Sequence, residues 1–311
     1  MSLQHEHGIF GGTDGEYILD FARALRVPLV TTLHTVLRRP SESQRNIVRE
    51  LAERSARLVV INPRARVPLE HAYGLAGVSV QVIPHGIPDL PLVPPDSPKA
   101  AFGLEGRRVV LSFGLLAPSK NLDFAIRALP SVVAADPSIV YVIAGATHPG
   151  EIRANGEAYR HSLRDLADEL GVSTHVRFID RFLPAAELGE LLLAADVYVV
   201  PYQHEEQISS GTLAFALGSG TAVVSTPFWH AQELLAGGCG LLVPFGDASA
   251  LARKVAYLLT HDRERDEIRR RAYAATRGMT WPAVGEQYVS IFAEVTEASR
   301  SRSGRAAVMA G

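Results

Sequence analysis

The amino-acid sequence predicts an α/β protein with two doubly wound lobes, of which the N-terminal lobe is incomplete. From residue 105 onward, apolar runs of strand length alternate with amphipathic helical segments, and the first 85 residues show the same alternation with fewer elements. A proline-rich stretch without periodicity separates the two parts. The 311 residues are 47% hydrophobic, which suffices for two cores.

The C-terminal part contains candidate strands that are apolar on both faces. They lie at 109–113, 140–144, 175–179, 197–202, 222–226 and 240–244. Helical periodicity is found at 122–135, 159–170, 185–194 and 230–236. Strands of this kind, separated by helices, are typical of a parallel sheet covered on both faces. We therefore expect residues 106–280 to form a complete doubly wound lobe.

The N-terminal part has fewer elements. Its three candidate strands lie at 28–33, 57–62 and 78–83, and its candidate helices lie at 15–25, 43–54 and 64–73. Met1-Ser2-Leu3 leads abruptly into Gln4-His5-Glu6-His7-Gly8, which reads more like the middle of a domain than its beginning. We therefore predict that residues 1–85 form a partial lobe.

Breaks in the pattern predict the boundaries between domains. The segments 84–88 and 91–98 interrupt every regular pattern, which indicates a linker at 86–105 and a ligand in the cleft between the lobes. A C-terminal helix at 281–298 is expected to pack across the lobes, and 299–311 to form a flexible tail. The charged run 262–271 is interpreted as a solvated helix face with i,i+4 pairs Asp266–Arg270 and Glu267–Arg271.

Composition excludes several classes of function. Lys and Arg total 31 against 33 Asp and Glu, so the net charge is -2. This charge provides no positive electrostatic field that would attract nucleic acid. The single cysteine, Cys239, fits a reducing compartment, and neither a secretory signal nor a membrane span is found, so a cytoplasmic protein is expected. The segments 5–7 (His-Glu-His) and 204–206 (His-Glu-Glu) lack the spacing of a metal site, so neither metal nor cofactor is expected.

The segment 207–227 carries the main functional signal. It follows an apolar strand, turns at Ser209-Ser210-Gly211, continues as a helix of small residues and leaves through Gly220 into another strand. The free N–H groups of such a helix start lie at the mouth of a parallel sheet, where they bind anions such as a diphosphate. A nucleotide-linked substrate is therefore predicted.

Further motifs occur in a fixed order along the chain. They are the segment from Gly114 to Asn121 after a strand, Ile143-Ala144-Gly145, Pro201, the Ser-Ser-Gly turn, and the run 220–226. This series resembles retaining family 4 glycosyltransferases of the GT-B fold, over nearly all of residues 4–295. The resemblance implies two Rossmann-like lobes and metal-independent transfer of a hexose from a nucleoside diphosphate sugar to a hydroxyl acceptor. The N-terminal lobe would supply most of the acceptor site.

The resemblance also implies the residues that bind the donor diphosphate. Lys120, which follows Gly114, matches the basic residue that neutralises the leaving group, although an exposed lysine at a helix start is the alternative. Ser209, Ser210, Gly211 and Thr212 match the phosphate loop, whose residues also suit a helix cap.

Other positions are expected near the transferred sugar. His34 and Gln207 match catalytic positions, with a structural histidine as the alternative for His34. Glu233 would bind hydroxyls of the ribose or the sugar, or else complement a helix dipole. This chain departs from the family at Gln207 and Phe215, where the family has two glutamates, and at Leu115, where it usually has an arginine.

These departures keep two alternative functions open. One is a non-catalytic module that binds a nucleotide sugar or a glycan, and the other is a nucleotide-sugar epimerase with the same fold. The sequence has no G-x-S-x-G elbow, Walker lysine or dinucleotide G-x-G-x-x-G. Hydrolase, P-loop and dehydrogenase chemistry are therefore excluded.

Overall fold

The structure is a computed structural model that describes the backbone of residues 1–309 and the side chains of residues 1–301. Residues 310–311 of the predicted tail lie outside the described residues. The strands are β1 (Ser2–His5), β2 (Leu29–Leu33), β3 (Ser55–Val60), β4 (Val80–Val82), β5 (Arg108–Phe113), β6 (Ile139–Ala144), β7 (Val176–Ile179), β8 (Val197–Val200), β9 (Ala222–Ser225) and β10 (Leu241–Leu242).

The α-helices follow in the same chain order. They are α1 (Ile18–Ala24), α2 (Glu42–Arg54), α3 (Arg66–His71), α4 (Asp96–Lys99), α5 (Leu122–Ala135), α6 (Pro149–Asn155), α7 (Ala158–Glu169), α8 (Ala185–Ala194), α9 (Gly211–Gly218), α10 (Trp229–Leu234), α11 (Ala248–Thr260), α12 (Asp262–Ala275) and α13 (Trp281–Met309). No helix in this described part of the chain combines the length and the apolarity that a membrane span requires.

The chain divides into two compact units. The first unit contains residues 1–86, the short segment 206–209 and the C-terminal segment that begins at Trp281. The second unit contains residues 87–205 and 210–280. The chain therefore passes from one unit to the other inside the Ser-Ser-Gly turn, between Ser209 and Ser210.

The first unit is built on a parallel sheet of order β1-β2-β3-β4. One face packs on α1 and α2 through a core that includes Leu3, Ile18, Leu29, Ile47 and Leu51. The other face packs on α13 through Val30, Val59, Ile83, Val284, Ile291 and Val295. Apolar residues therefore cover both faces, as a parallel sheet requires.

Strand β1 corrects the prediction of three strands in this part of the chain. It pairs in parallel with β2, and its residues alternate between exposed and buried positions. The buried positions hold Leu3 and His5, whereas Ser2 and Gln4 are exposed. The strand is only four residues long and three of them are polar, so it shows no apolar run that the sequence could reveal.

The second unit is built on a parallel sheet of order β10-β9-β8-β5-β6-β7. Helices α5, α7 and α11 pack on one face, and α8, α9 and α10 pack on the other. The chain continues from β5 to β6 on one side, whereas β8, which also pairs with β5, continues to β9 on the opposite side. The direction of winding thus reverses between β5 and β8, where doubly wound sheets bind ligands.

The sequence predicts that the charged run in α12 is a fully solvated helix face, and this prediction is wrong. Arg265 and Arg269 are buried, with exposed fractions of 4% and 6%. The Arg269 guanidinium donates to the carbonyl oxygen of Gly220 at 2.8 Å, and its ion pair is with Asp266 at i−3. Likewise, Glu267 pairs with Arg263 rather than with the predicted partner. Buried arginines are favoured here because their donors satisfy backbone carbonyls.

Candidate active site

The candidate site lies in the second unit, at the carboxyl ends of the neighbouring strands β5 and β8. Gly114 follows β5 with a φ of +130°, and Gly145 follows β6 with a φ of +144°, both in the region that favours glycine. A Cβ atom at Gly145 would lie 2.0 Å from the Gly114 carbonyl oxygen, and one at Gly114 would lie 3.2 Å from the Thr212 methyl carbon. These glycines therefore let the two loops and the start of α9 approach closely.

Lys120 is held at this edge by its neighbour Asn121. Asn121 adopts the left-handed conformation with a φ of +54°. Its side-chain amide donates to the carbonyl oxygen of Pro201 at 2.8 Å and accepts from Gln203 at 2.6 Å. The loop after β5 is thus fixed to the loop after β8. The Lys120 ammonium lies 3.1 Å from the Tyr202 hydroxyl oxygen and 4.5 Å from the centroid of its ring.

Tyr202 connects the lysine to the start of α9, and sequence analysis did not identify it. Its hydroxyl lies 3.1 Å from the hydroxyl oxygen of Thr212 and accepts from Ser210 at 3.4 Å. Burial alone would raise the pKa of Tyr202, but the Lys120 ammonium and these hydrogen bonds bring it below the ordinary value. Its position directly after Pro201, where a strand ends, was the available signal.

Helix α9 begins with an ordered cap. The Ser210 hydroxyl accepts from the N–H of Leu213 at 3.3 Å, as an N-cap serine does. The N–H of Ser210 itself donates to Nδ1 of His230 at 2.8 Å. The N–H groups of Gly211 and Thr212 are in the first turn, where no preceding carbonyl can accept from them. His230, like Tyr202, was not predicted as part of the site.

These groups together form a site for an anion. A lysine ammonium, two side-chain hydroxyls and the first amides of a helix converge where the winding of the sheet reverses. The positive end of a helix dipole and charge-assisted hydrogen bonds both favour phosphate oxygens. The arrangement can therefore hold a diphosphate and stabilise charge that develops on it.

The structure brings together only some of the predicted site residues. Gly114, Lys120, Ser210, Gly211 and Thr212 all belong to the second unit, at the edge just described. Glu233 belongs to the same unit and follows His230 by three residues on α10, so the two share one helix face. Phe215, which the sequence resemblance matches to the second family glutamate, packs against Phe113 with ring centroids 6.3 Å apart.

The remaining predicted residues belong to the first unit. The Ser209 hydroxyl donates to the carbonyl oxygen of His34 at 2.9 Å, and the Gln207 amide donates to that of Ser209 at 2.7 Å. The His34 ring lies 2.8 Å from the side-chain oxygen of Gln4. Burial lowers the pKa of His34, so its imidazole is neutral near pH 7.

Among the described residues, no group of three or more His, Cys, Asp or Glu side chains is arranged so that it could hold a metal ion.

Two family matches cover most of the chain. Residues 96–275 match the family described as Glycosyl transferases group 1, and residues 7–89 match Glycosyltransferase Family 4. The first match alone covers more than half of the 311 residues. The chain is a family 4 glycosyltransferase.

Curated relatives of this glycosyltransferase act on inositol derivatives, as their names state. A D-inositol 3-phosphate glycosyltransferase of Corynebacterium efficiens is 30% identical, over 95% of this chain and 72% of the relative. A phosphatidyl-myo-inositol mannosyltransferase of Mycolicibacterium smegmatis is 27% identical, over 89% of this chain and 67% of the relative.

Solved structures share the GT-B fold of this glycosyltransferase. Anabaena HepE, solved in complex with UDP and glucose, has a TM-score of 0.76 at 21% identity, over 91% of this chain and 77% of its own. Sucrose-phosphate synthase from Thermosynechococcus elongatus has a TM-score of 0.76 at 18% identity, over 90% of this chain and 70% of its own. The predicted α/β fold with Rossmann-like parallel sheets is thus confirmed.

Proposed function

We propose that this glycosyltransferase transfers a hexose from a nucleoside diphosphate sugar to a hydroxyl acceptor, with retention of configuration at the anomeric carbon. The observation that carries the proposal is the contact between Lys120, Tyr202 and the first turn of α9, because it concentrates donors for a diphosphate at one point. Structural neighbours that contain UDP or UDP-glucose support the same class of donor.

In the proposed reaction, the bond between the anomeric carbon and the diphosphate oxygen breaks, and a bond from that carbon to the acceptor oxygen forms. The proton of the acceptor hydroxyl passes to an oxygen of the departing phosphate. Lys120 and the amides of Gly211 and Thr212 stabilise the negative charge that grows on the leaving group. Because this chain supplies that positive charge itself, the proposed reaction is independent of metal.

Roles for the other predicted residues belong to the same proposal. His34 and Gln207 would contact the transferred sugar, whereas Glu233 would accept a hydrogen bond from a sugar or ribose hydroxyl. The first unit would bind the acceptor, and the names of the curated relatives make inositol derivatives the first acceptors to assay. A cytoplasmic location completes the proposal and rests on the single cysteine, Cys239.

Calorimetric titration with UDP tests the donor site. We expect Lys120→Ala to weaken UDP binding by about tenfold or more, equivalent to about 1.4 kcal/mol, because a charge-assisted contact to the diphosphate is lost. Lys254→Ala, which removes an exposed lysine from α11 of the same unit, is the matched control and should bind UDP normally. Equal affinities of the native protein and Lys120→Ala would contradict the site assignment.

A further inference from the structure

Arg160 lies on α7 and is buried although its guanidinium is charged. Its exposed fraction is 4%, and it belongs to the second unit. A buried guanidinium is costly unless hydrogen bonds and opposite charges compensate for the loss of water. The proposed donor site does not include this side chain. Its hydrogen-bond partners therefore indicate what the buried charge does.

Two carboxylates balance the charge of Arg160. Its Nε atom donates to Glu157 at 2.9 Å, and its Nη1 atom donates to Asp180. Asp180 also accepts from Arg164 at 2.6 Å, so two positive and two negative side chains form one network. Hydrogen bonds from Thr147 and from Arg160 lower the pKa of Glu157, so its carboxylate is charged at neutral pH. The charge of Arg160 is thus compensated, which leaves its Nη2 atom for neutral partners.

The Nη2 atom of Arg160 binds the loop that follows β6. It donates to the carbonyl oxygen of Gly145 at 3.1 Å and to the Thr147 hydroxyl at 3.0 Å. The Thr147 hydroxyl in turn donates to Glu157 at 2.5 Å. A planar guanidinium fixes the angles between such bonds, whereas the ammonium of a lysine is a point charge. Arg160 therefore fixes both the position and the direction of the backbone at Gly145.

The loop after β6 in turn pairs with the loop after β5. The N–H of Gly114 donates to the carbonyl oxygen of Ala144 at 2.9 Å. The N–H of Leu116 donates to that of Ala146 at 2.9 Å, and the carbonyl oxygen of Leu116 accepts from the N–H of His148 at 2.8 Å. Parallel pairing thus continues beyond the ends of the two strands. A shift of the loop after β6 would therefore also shift the loop that leads to the donor-site lysine.

The residue next to Arg160 holds the far end of the same loop. The Tyr159 hydroxyl accepts from the N–H of Leu122 at 2.9 Å. Leu122 is the first residue of α5 and follows Lys120 by two positions. Adjacent residues of α7 thus support the chain on both sides of Lys120, Tyr159 by direct contact and Arg160 through the loop after β6.

We propose that Arg160 is a positioning residue for the donor site, because it fixes the loop after β6 against the loop that carries Lys120. The proposal rests on the donor site proposed above and adds a residue that acts through Lys120 rather than by contact with the diphosphate. The role depends on the directed bonds to Gly145 and Thr147. Arg160→Lys, which keeps the charge, should therefore preserve the ion pairs and lose the positioning.

Calorimetric titration with UDP measures the effect on the donor site. We expect Arg160→Lys to weaken UDP binding by about fivefold, because a lysine cannot bond to the loop and to both carboxylates at once. Arg164→Lys is the matched control and should bind UDP normally. Arg164 lies one turn further along α7, pairs with the same carboxylate of Asp180, and its side chain is 48% exposed.

A second variant leaves Arg160 in place. Thr147→Val removes the hydroxyl that connects the guanidinium to the loop, while the ion pairs of Arg160 with Glu157 and Asp180 remain. It should weaken UDP binding by about threefold. Loss of affinity in both variants would therefore follow from the loop contact that they share and not from the loss of a buried charge.

A double variant separates positioning from general destabilisation. If Arg160 acts through Lys120, the double variant Lys120→Ala with Arg160→Lys should bind UDP with the affinity of Lys120→Ala alone, to within about twofold. If Arg160 only stabilises the fold, the two losses should instead multiply.

Hydrogen exchange tests the loop contact without any donor. Peptides that cover residues 113–122 and 144–149 should exchange faster in Arg160→Lys and Thr147→Val than in the native protein and in Arg164→Lys. The expected cause is loss of protection at the amides of Gly114, Leu116 and His148, which hold the two loops together. Peptides that cover β8 and β9 should exchange at the native rate, which shows that the second unit remains folded.

The outcomes distinguish the two proposals. Native exchange of the loop peptides in both Arg160→Lys and Thr147→Val would overturn the positioning role, as would independent losses of affinity in the double variant. Weaker UDP binding by Lys120→Ala together with native binding by Arg160→Lys would overturn the positioning role alone. Native UDP affinity of Lys120→Ala would overturn the donor site and, with it, the role of Arg160 there.

Discussion

Tyr202 shows how one residue can organise a binding site without belonging to a motif. Its hydroxyl contacts Lys120 from the loop after β5 and Thr212 from the start of α9. The aromatic ring also stacks on that of Phe228, with centroids 5.0 Å apart and an interplanar angle of 28°, so its position is fixed by packing. Tyr202 is therefore a positioning residue for the lysine of the proposed donor site.

Tyr202→Phe should weaken UDP binding by about tenfold, because the ring stays packed while the hydroxyl that holds Lys120 is lost. The pH dependence of binding should change as well. The pKa of Tyr202 is below its ordinary value, and its ionisation would place a negative charge beside the diphosphate. UDP affinity of the native protein should therefore fall at alkaline pH, and this fall should be shallower in Tyr202→Phe.

Calorimetry across a range of pH measures both effects. Tyr257→Phe, which alters an exposed tyrosine of α11, is the control and should keep the native affinity and pH profile. An unchanged affinity and profile in Tyr202→Phe would show that the phenol does not position the lysine.

At the scale of elements, the segment after Gly86 is ordered around a buried ion pair. Residues 87–105 belong to the second unit, and α4 places Lys99 where only 1% of its surface is exposed. Its ammonium lies 2.9 Å from the Asp196 carboxylate, which is also 1% exposed and accepts from the N–H of Val109 at 2.7 Å. The pair thus connects α4 to the residue that precedes β8 and, through the hydrogen bond to Val109, to the start of β5.

Lys99→Met should destabilise the second unit by roughly 3 kcal/mol, because a buried carboxylate is left without its closest cation. In the double variant with Asp196→Asn, part of that loss should be recovered, since a neutral amide oxygen can still accept from Val109. Urea unfolding followed by Trp229 fluorescence measures both changes in free energy. Arg263→Ala, which removes an exposed ion pair on α12, should change stability by at most about 0.5 kcal/mol.

At the scale of the whole molecule, the two units differ in their buried titratable groups. The first unit contains His5, which is fully buried and whose two ring nitrogens find no hydrogen-bond partner among the described residues. Burial, with smaller contributions from His7 and His34, lowers the pKa of His5 from 6.5 to about 4. In the second unit, burial instead raises the pKa values of Tyr141 and Tyr198.

Acid should therefore destabilise the first unit. Because the pKa of His5 is lower in the folded state than its ordinary value of 6.5, the unfolded state takes up a proton first and is favoured by acid. The first unit therefore has its full stability above about pH 6.5 and loses stability as the pH falls toward 4. The loss between about pH 7.5 and about pH 4.5 should be on the order of 2 kcal/mol for His5 alone. Urea midpoints at both pH values, followed by Trp281 fluorescence in Trp229→Phe, measure it.

His5→Phe should remove this pH dependence, because phenylalanine keeps the ring contacts with His7 and Phe10 and does not titrate. His161→Phe changes an exposed histidine of α7 and is the control. If His5→Phe and the native protein lose stability equally on acidification, His5 is not the group responsible.

Local sequence patterns suffice to predict the alternation of strands and helices and the position of the loop proposed to bind phosphate. Both are local properties, because apolar periodicity reports strands and helices, and Ser210-Gly211 after a strand marks the start of a helix. Strand β1 could not be predicted in this way, because three of its four residues are polar and it has no apolar run. The burial of Arg269 could not be predicted from local patterns either, because it depends on carbonyl oxygens that are far away in the chain.

Which residues meet at the site depends on contacts between parts of the chain that are far apart in sequence. Strands β5 and β8 are neighbours in the sheet although β6 and β7 separate them in the chain, and no local pattern encodes that pairing. Their adjacency places Tyr202 beside Lys120 across 82 residues. Long-range contacts also define the two units, which place Ser209 in the first unit and Ser210 in the second. Local periodicity fixes each element, but contacts between distant residues bring their functional groups together.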